Sequence, residues 1–250
     1  MNVKLYVVHG SHPCATAQRA LELKGIPYKI VEFPPPMHMA IMKLRFGQRT
    51  VPGISIDGEK LVGSRAILRR LDALVPEPAL LPADPAARAA VEAAEAWGDD
   101  VLQPLARRVL WPTFAAHPEA MACYSEGSKL PPVPLPVLKL MAPVVTRIEM
   151  RANHASPLTY PADLQRLPEY LDRIEAWLAD GTLGGAQPNA ADLQIAPSVC
   201  LLMTLGDLRP LIASRPAGVW ASGLFPDFPG DAPAGLIPAE LLRAPASAAI

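Results

Sequence analysis

Three side chains with exchangeable protons stand within four residues near the N-terminus: the hydroxyl of Ser11, the imidazole of His12 and the thiol of Cys14. They belong to "VVHGSHPCATAQRALELKGIPY", where an apolar run turns at Gly10 and enters a helical pattern. A helix start presents N–H groups without intrahelical partners and a partial positive charge, and both stabilise a thiolate on the protein or on a bound ligand. The turn therefore reads as an anion seat. His12 beside a helix start is pushed toward its neutral form and can accept a thiol proton or donate to a thiolate, or it is an exposed turn residue. Ser11 can supply a hydroxyl instead, or simply form the turn. Cys14 lacks a partner cysteine, so it reads as a small buried residue, with a mixed disulfide to a thiol ligand as the alternative.

The elements that must hold this seat follow from periodicity. Lys4–Val8 alternates as a strand, Ala15–Lys24 has helical spacing closed by Gly25, and "PYKIVEF" reads as a second strand. A short helix around Met39–Phe46 leads to a hairpin, Val51–Ile56 and Lys60–Val62, joined by Asp57-Gly58. A helix from Ser64 to about Leu74 completes a βαβαββα unit over residues 1–75. Ser64 stands where a hydroxyl caps backbone amides or meets a carboxylate. "VPEPALLPADP" marks a proline linker, 76–85. Residues 86–250 are helical by pattern, interrupted by a Pro-rich insertion at about 126–137 and ending in an irregular tail from about 216, its last few residues frayed. Pro104 is expected to kink the first long helix, and Pro168 to sit in a first helical turn.

Composition narrows the classes. The formal charge of −1 excludes a global case for nucleic acid or an anionic membrane, but residues 1–74 hold 11 basic and 5 acidic side chains against 12 and 19 in residues 75–250. A basic front half suits a small anionic ligand. Three widely spaced cysteines give neither a zinc pattern nor a disulfide framework, and "LQIAPSVCLLMTL" is too short to span a bilayer. The expectation is a cytoplasmic globular protein without metal, nucleic-acid or membrane partners.

The unit order, a βαβαββα domain, a proline linker and an all-helical second domain, resembles the glutathione transferase family. "SHPCATAQRALELKGIPY", with Arg19 six residues after Pro13, is similar to the family's first-helix signature; "RTVPGI" resembles the segment bearing its cis-proline; and "DGEKLVGSRAILRRL" resembles its γ-glutamyl-binding segment. "QPNAADLQIAPSV" resembles the family's helix-capping motif, here Asn189 with Asp192. The implied fold class is α/β plus all-α, a thioredoxin-like N-terminal domain followed by a helical bundle.

The resemblance implies glutathione as co-substrate, a small apolar electrophile and a homodimer. A cis bond before Pro52 would free the Val51 N–H and C=O for an extended ligand. Ser64 would hold the γ-glutamyl carboxylate, with Arg65, Arg49 and Lys43 as further basic candidates. Two positions depart from the family's pattern: His12 stands where redox members carry Cys and several transferases Ser, and Gly63 stands where Glu or Gln usually holds the γ-glutamyl amine. Trp97, Leu105, Arg108 and Trp111 are candidates for the electrophile's pocket. The functions left open are a transferase conjugating a γ-glutamyl thiol, a non-catalytic scaffold on the same fold, and a Cys14-dependent thiol transferase or reductase, the thiol being glutathione or another.

Overall fold

The computed structural model describes residues 1–242. Four strands, β1 (Val3–Val7), β2 (Lys29–Glu32), β3 (Gly53–Ile56) and β4 (Glu59–Val62), form one mixed sheet in the order β2-β1-β3-β4. β1 runs parallel to β2 and antiparallel to β3, with Leu5 opposite both Ile30 and Ile54. Alternation along β1 sends Val3, Leu5 and Val7 into the main core, with Leu21 of α1 (His12–Leu23) and Leu68 of α3 (Ser64–Leu74). Tyr6 faces the other way. Its hydroxyl accepts from Arg45 of α2 (Met37–Phe46) at 3.0 Å and its ring packs between Phe33 and Phe46. This buried phenol belongs to the packing of α2 against the sheet.

The second half is helical. α4 (Pro85–Trp97) passes through a π-helical turn, Gly98–Leu102, into α5 (Gln103–Ala116); α6 (Leu135–Ala152), α7 (Thr159–Ala179), α8 (Ala190–Met203), α9 (Arg209–Ile212) and α10 (Pro216–Leu224) follow. Every residue of α8 is buried, which makes it the axis on which both halves pack. Its start is a capping box: Asn189 Oδ1 accepts from the Ala191 and Asp192 amides, and the Asp192 carboxylate accepts from the Asn189 amide at 2.8 Å.

Several expectations change. Pro168 lies inside α7, not in its first turn, and Pro112, Pro143 and Pro197 are also within helices, where packing outweighs the lost hydrogen bond. The break in the first long helix is the π turn, and Pro104 follows it as the second residue of α5. The tail is less irregular than its composition suggests: α10 lies within it, and Ala232 bridges to Leu205. The fraying expected of the last residues falls on 243–250, outside the described residues.

The Pro-rich insertion is seated on the N-terminal sheet. After a 3₁₀ turn, Pro118–Tyr124, His9 Nε2–H donates to the Glu126 carbonyl at 2.8 Å, and the Lys129 amide donates to Glu32 at 2.9 Å. The Tyr124 ring lies directly on Gly10, whose φ of 73° and lack of a side chain are both required there, since a Cβ would collide with that ring. The insertion thus fixes the turn that precedes α1.

Candidate functional site

Register brings three separate stretches to one end of the sheet. β1 ends at Val7 and turns into α1; Gly53, the first residue of β3, pairs with both Tyr6 and Val62; and β4 ends there before α3 begins. Ser11, Val51-Pro52 and Ser64 are therefore neighbours in the fold although the first and last are 53 positions apart in the chain. The Val51–Pro52 peptide is cis, and among the described residues neither the amide nor the carbonyl of Val51 enters a backbone hydrogen bond. The Pro52 carbonyl instead accepts from the Gly63 amide at 2.9 Å, tying this segment to the start of α3.

The three proton-bearing residues of the turn have different surroundings. Ser11 is the N-cap of α1, half-buried, and its hydroxyl caps nothing. The Cys14 and Ala15 amides return to the Ser11 carbonyl and Pro13 has no N–H, so the seat is narrower than a helix start suggests: chiefly the His12 amide, the helix dipole and the Ser11 hydroxyl. The His12 side chain is 2% exposed and its Nδ1 shares a 2.8 Å hydrogen bond with Ser198 Oγ of α8. It is held well below the ordinary histidine range, first by burial and then by the charge of Arg107. It is neutral, as the sequence suggests, but the cause is desolvation at the seam between the halves. The exposed turn histidine considered from the sequence is not observed.

Cys14 is buried, and burial pushes its thiol up to about 11, offset only in part by hydrogen bonding to Ser11 and the Val8 backbone. At pH 7 roughly one molecule in ten thousand would carry the thiolate. Burial likewise raises Cys123, and raises Cys200 to about 12.

Ser64 is buried, yet the N-cap of α3 is Gly63 and the serine hydroxyl makes no capping hydrogen bond. Capping by Ser64 is thereby corrected: its backbone is already helical, so its side chain is not aimed at the amides behind it. Gly63 has φ 93° and ψ 137°, a conformation reserved almost entirely for glycine, which gives a backbone reason for the missing Glu or Gln.

The basic candidates divide. Arg65 Nε lies 3.6 Å from Glu95 of α4, whose fully buried carboxylate is also gripped by Arg69; both arginines tie the two halves together. Arg49 and Lys43 are exposed beside a shallow hollow with Met39, Leu44 and Ile148, and Lys43 donates to the Gly47 carbonyl.

The expected apolar pocket is not formed by its candidates. Trp97 packs edge-on against Tyr170 and Trp177, Leu105 is core, Trp111 packs edge-on against Phe114, and Arg108 makes a bidentate pair with Asp163 of α7 at 2.6 and 2.8 Å. It is the adjacent Arg107 that acts on the seam. Beside it are groups that sequence reasoning passed over: Gln103, Glu149, Gln194 and Ser198. The last two were detectable, being the polar pair one turn apart in the apolar stretch "LQIAPSVCLLMTL".

Residues 5–79 match the family model described as glutathione S-transferase, N-terminal domain. That stretch spans the sheet, the Ser11 turn, Val51-Pro52 and Ser64. That stretch is similar to the N-terminal domain of the glutathione transferase family. No curated protein matches the sequence. Among solved structures, the β-etherase LigF from Sphingobium sp. strain SYK-6 superposes with a TM-score of 0.61 at 20% identity, covering 90% of this chain and 99% of its own. Glutathione transferase F7 from Populus trichocarpa gives 0.62 at 16% identity, covering 96% and 99%. A glutathione S-transferase-I bound with lactoylglutathione gives 0.59 at 20% identity, covering 90% and 94%. The glutathione transferase fold therefore extends through the helical half. Among the described residues no cluster of His, Cys, Asp or Glu is arranged for a metal ion, and no helix is long and apolar enough to cross a membrane.

Proposed function

We propose that this protein is a glutathione-transferase-like enzyme in which Ser11 activates the thiol of a bound γ-glutamyl peptide for attack on a small electrophile. The observation that carries this reading is that Val51 and Ser64, brought to one sheet end with Ser11, keep hydrogen-bonding groups uncommitted among the described residues, while the Ser11 hydroxyl caps no amide and meets the Cys14 thiol. An extended thiol peptide fits that set: its backbone pairs with Val51, its carboxylate meets Ser64 at the start of α3, and its sulfur faces Ser11. The Ser11 hydroxyl and the α1 dipole favour the thiolate, the thiol proton passes to solvent, and sulfur bonds to the electrophilic carbon as the leaving group departs with its electron pair. Gly63 leaves the γ-glutamyl amine without the family's usual acidic or amide partner, so selectivity for glutathione over other γ-glutamyl thiols is weaker at that group.

The buried, protonated thiol of Cys14 argues against a Cys14-dependent reductase. A homodimer, with the basic N-terminal half of one subunit facing the acidic helical half of the other, accords with the charge division and predicts about twice the chain mass by light scattering.

The test is the ultraviolet absorbance of the bound glutathione thiolate against pH. Ser11→Ala is expected to raise the apparent pKa of the bound thiol by about one unit, which corresponds to about 1.4 kcal/mol of lost thiolate stabilisation. Cys14→Ala should leave it unchanged. Loss of turnover in Cys14→Ala with the fold intact would move the chemistry to the cysteine, and absence of glutathione binding would leave a scaffold.

A further inference from the structure

Unused hydrogen-bonding capacity is concentrated on the helical wall that faces His12. Gln103 and Arg107 stand one turn apart on the same face of α5. α5 packs against α8, which carries Gln194, and against α6, which carries Glu149, and the Arg107 charge acts on both His12 of α1 and Glu149. Each of these five side chains has a buried polar atom without a partner among the described residues: His12 Nε2, Gln103 Nε2, Arg107 Nε, Glu149 Oε1 and Gln194 Oε1. Gln103 and Glu149 are only 2% and 4% exposed. Buried polar groups in native proteins are almost all bonded, so such a concentration indicates a polar group that completes them.

Arg107 is the centre of this set. Among the described residues it makes no hydrogen bond or ion pair, whereas Arg108 beside it clasps Asp163. Its charge acts on His12, Asp99 and Glu149. Asp99 already accepts from the Gln194 amide at 3.0 Å. Burial raises Glu149 to about 7 against the pull of Arg107, so near neutral pH its carboxyl is a proton donor in half of the molecules. The π turn that precedes Gln103 presses on α8, since a Cβ on Gly98 would stand 2.8 Å from Ile195 Cγ1, and π turns recur at functional sites. A guanidinium, an amide N–H₂ and a protonated carboxyl form a donor-rich set. A carboxylate, with two oxygens and acceptor sites for a forked guanidinium, satisfies these donors, though not the Gln194 Oε1 acceptor, and an apolar ring satisfies none of them.

We propose that Arg107, flanked by Gln103 and Glu149, determines second-substrate specificity by binding a carboxylate on the electrophile. This rests on the transferase reading above and names its substrate class. The test compares 4-chloro-3-nitrobenzoate with 1-chloro-2,4-dinitrobenzene, each with glutathione. Arg107→Gln is expected to lower kcat/KM for the benzoate at least tenfold and for the dinitrobenzene less than threefold, with Arg107→Lys recovering part of the loss. Calorimetric binding of 3-nitrobenzoate, which needs no turnover, should weaken at least tenfold in Arg107→Gln. Equal losses on both electrophiles, nitrobenzoate binding that ignores the substitution, or no nitrobenzoate binding at all would overturn the proposal. Nitrobenzoate held through Arg107 while neither electrophile turns over would keep this subsite and reject the transferase reading.

Discussion

His12 Nδ1 and Ser198 Oγ, 186 positions apart in the chain, share a buried 2.8 Å hydrogen bond that joins the first helix of the thioredoxin-like half to the central helix of the other half. A residue whose place in the turn suggests chemistry is instead part of the joint between halves. His12→Ala would leave the Ser198 hydroxyl buried without its partner and open a cavity, at a combined cost of about 2–4 kcal/mol. Denaturant unfolding should show this loss while the bound thiol pKa stays near the wild-type value. An unchanged midpoint with a shifted thiol pKa would return His12 to the chemistry.

The same joint sets a dependence on pH. His12 is held well below 6.5 by burial and Arg107, and His38 is lowered to about 4 by burial. Below pH 6.5 the unfolded chain takes up protons at these histidines that the folded protein refuses, so their contribution to stability falls as pH drops from 6.5 toward 4. Glu149 has the opposite sign. Raised to about 7 from an ordinary 4.5, it holds its proton in the folded state between those values, so its contribution to stability falls as pH rises from 4.5 to 7. Glu149→Gln should therefore gain on the wild type across that interval, by at most about 3 kcal/mol. Unfolding midpoints at pH 5, 6 and 7 would measure the gain, and a constant difference would show that Glu149 does not titrate there.

The linker depends on one buried cation. Lys24 Nζ donates to Asp72 at 2.7 Å and to the Val75 and Pro78 carbonyls at 2.6 Å each, all from the end of α3 and the proline segment after it. Lys24→Met removes the charge, leaves Asp72 with the Leu80 amide alone and takes the ammonium from the Val75, Pro76 and Pro78 carbonyls, which should cost about 3–5 kcal/mol. A thermal melt should show a large drop in Tm. A drop of only a degree or two would mean that water replaces the ammonium.

Much of the fold was legible because its signals are local. Strand alternation at Lys4–Val8, the Asp57-Gly58 turn, the proline linker and the Asn189/Asp192 box each depend on residues a few positions apart. The positions of the candidate site were legible to the same depth, because Ser11, Val51-Pro52 and Ser64 sit on those local elements. Two kinds of information were not local. The direction of the His12 side chain depends on Ser198 and Arg107, far along the chain, and the choice between Arg107 and Arg108 depends on which face of α5 meets α7. The insertion also escaped a reading from composition, because prolines mark an irregular backbone but not the surface on which Tyr124 and Glu126 settle.

Ser64 separates a structural role from a binding role more cleanly than any other residue of the site. Because Gly63 is the N-cap and the Ser64 hydroxyl caps no amide, Ser64→Ala should change stability by well under 1 kcal/mol, unlike the replacement of a true capping serine, which costs about 1 kcal/mol. If the hydroxyl meets the γ-glutamyl carboxylate, the same change should weaken glutathione binding by about 1–3 kcal/mol, the usual result of leaving a charged partner short of a hydrogen bond. Calorimetric titration beside a denaturation curve reads both quantities on one preparation. Lost affinity with unchanged stability places the carboxylate at the start of α3. Unchanged affinity places it elsewhere, and a stability loss near 1 kcal/mol would mean that the hydroxyl caps the helix in solution after all.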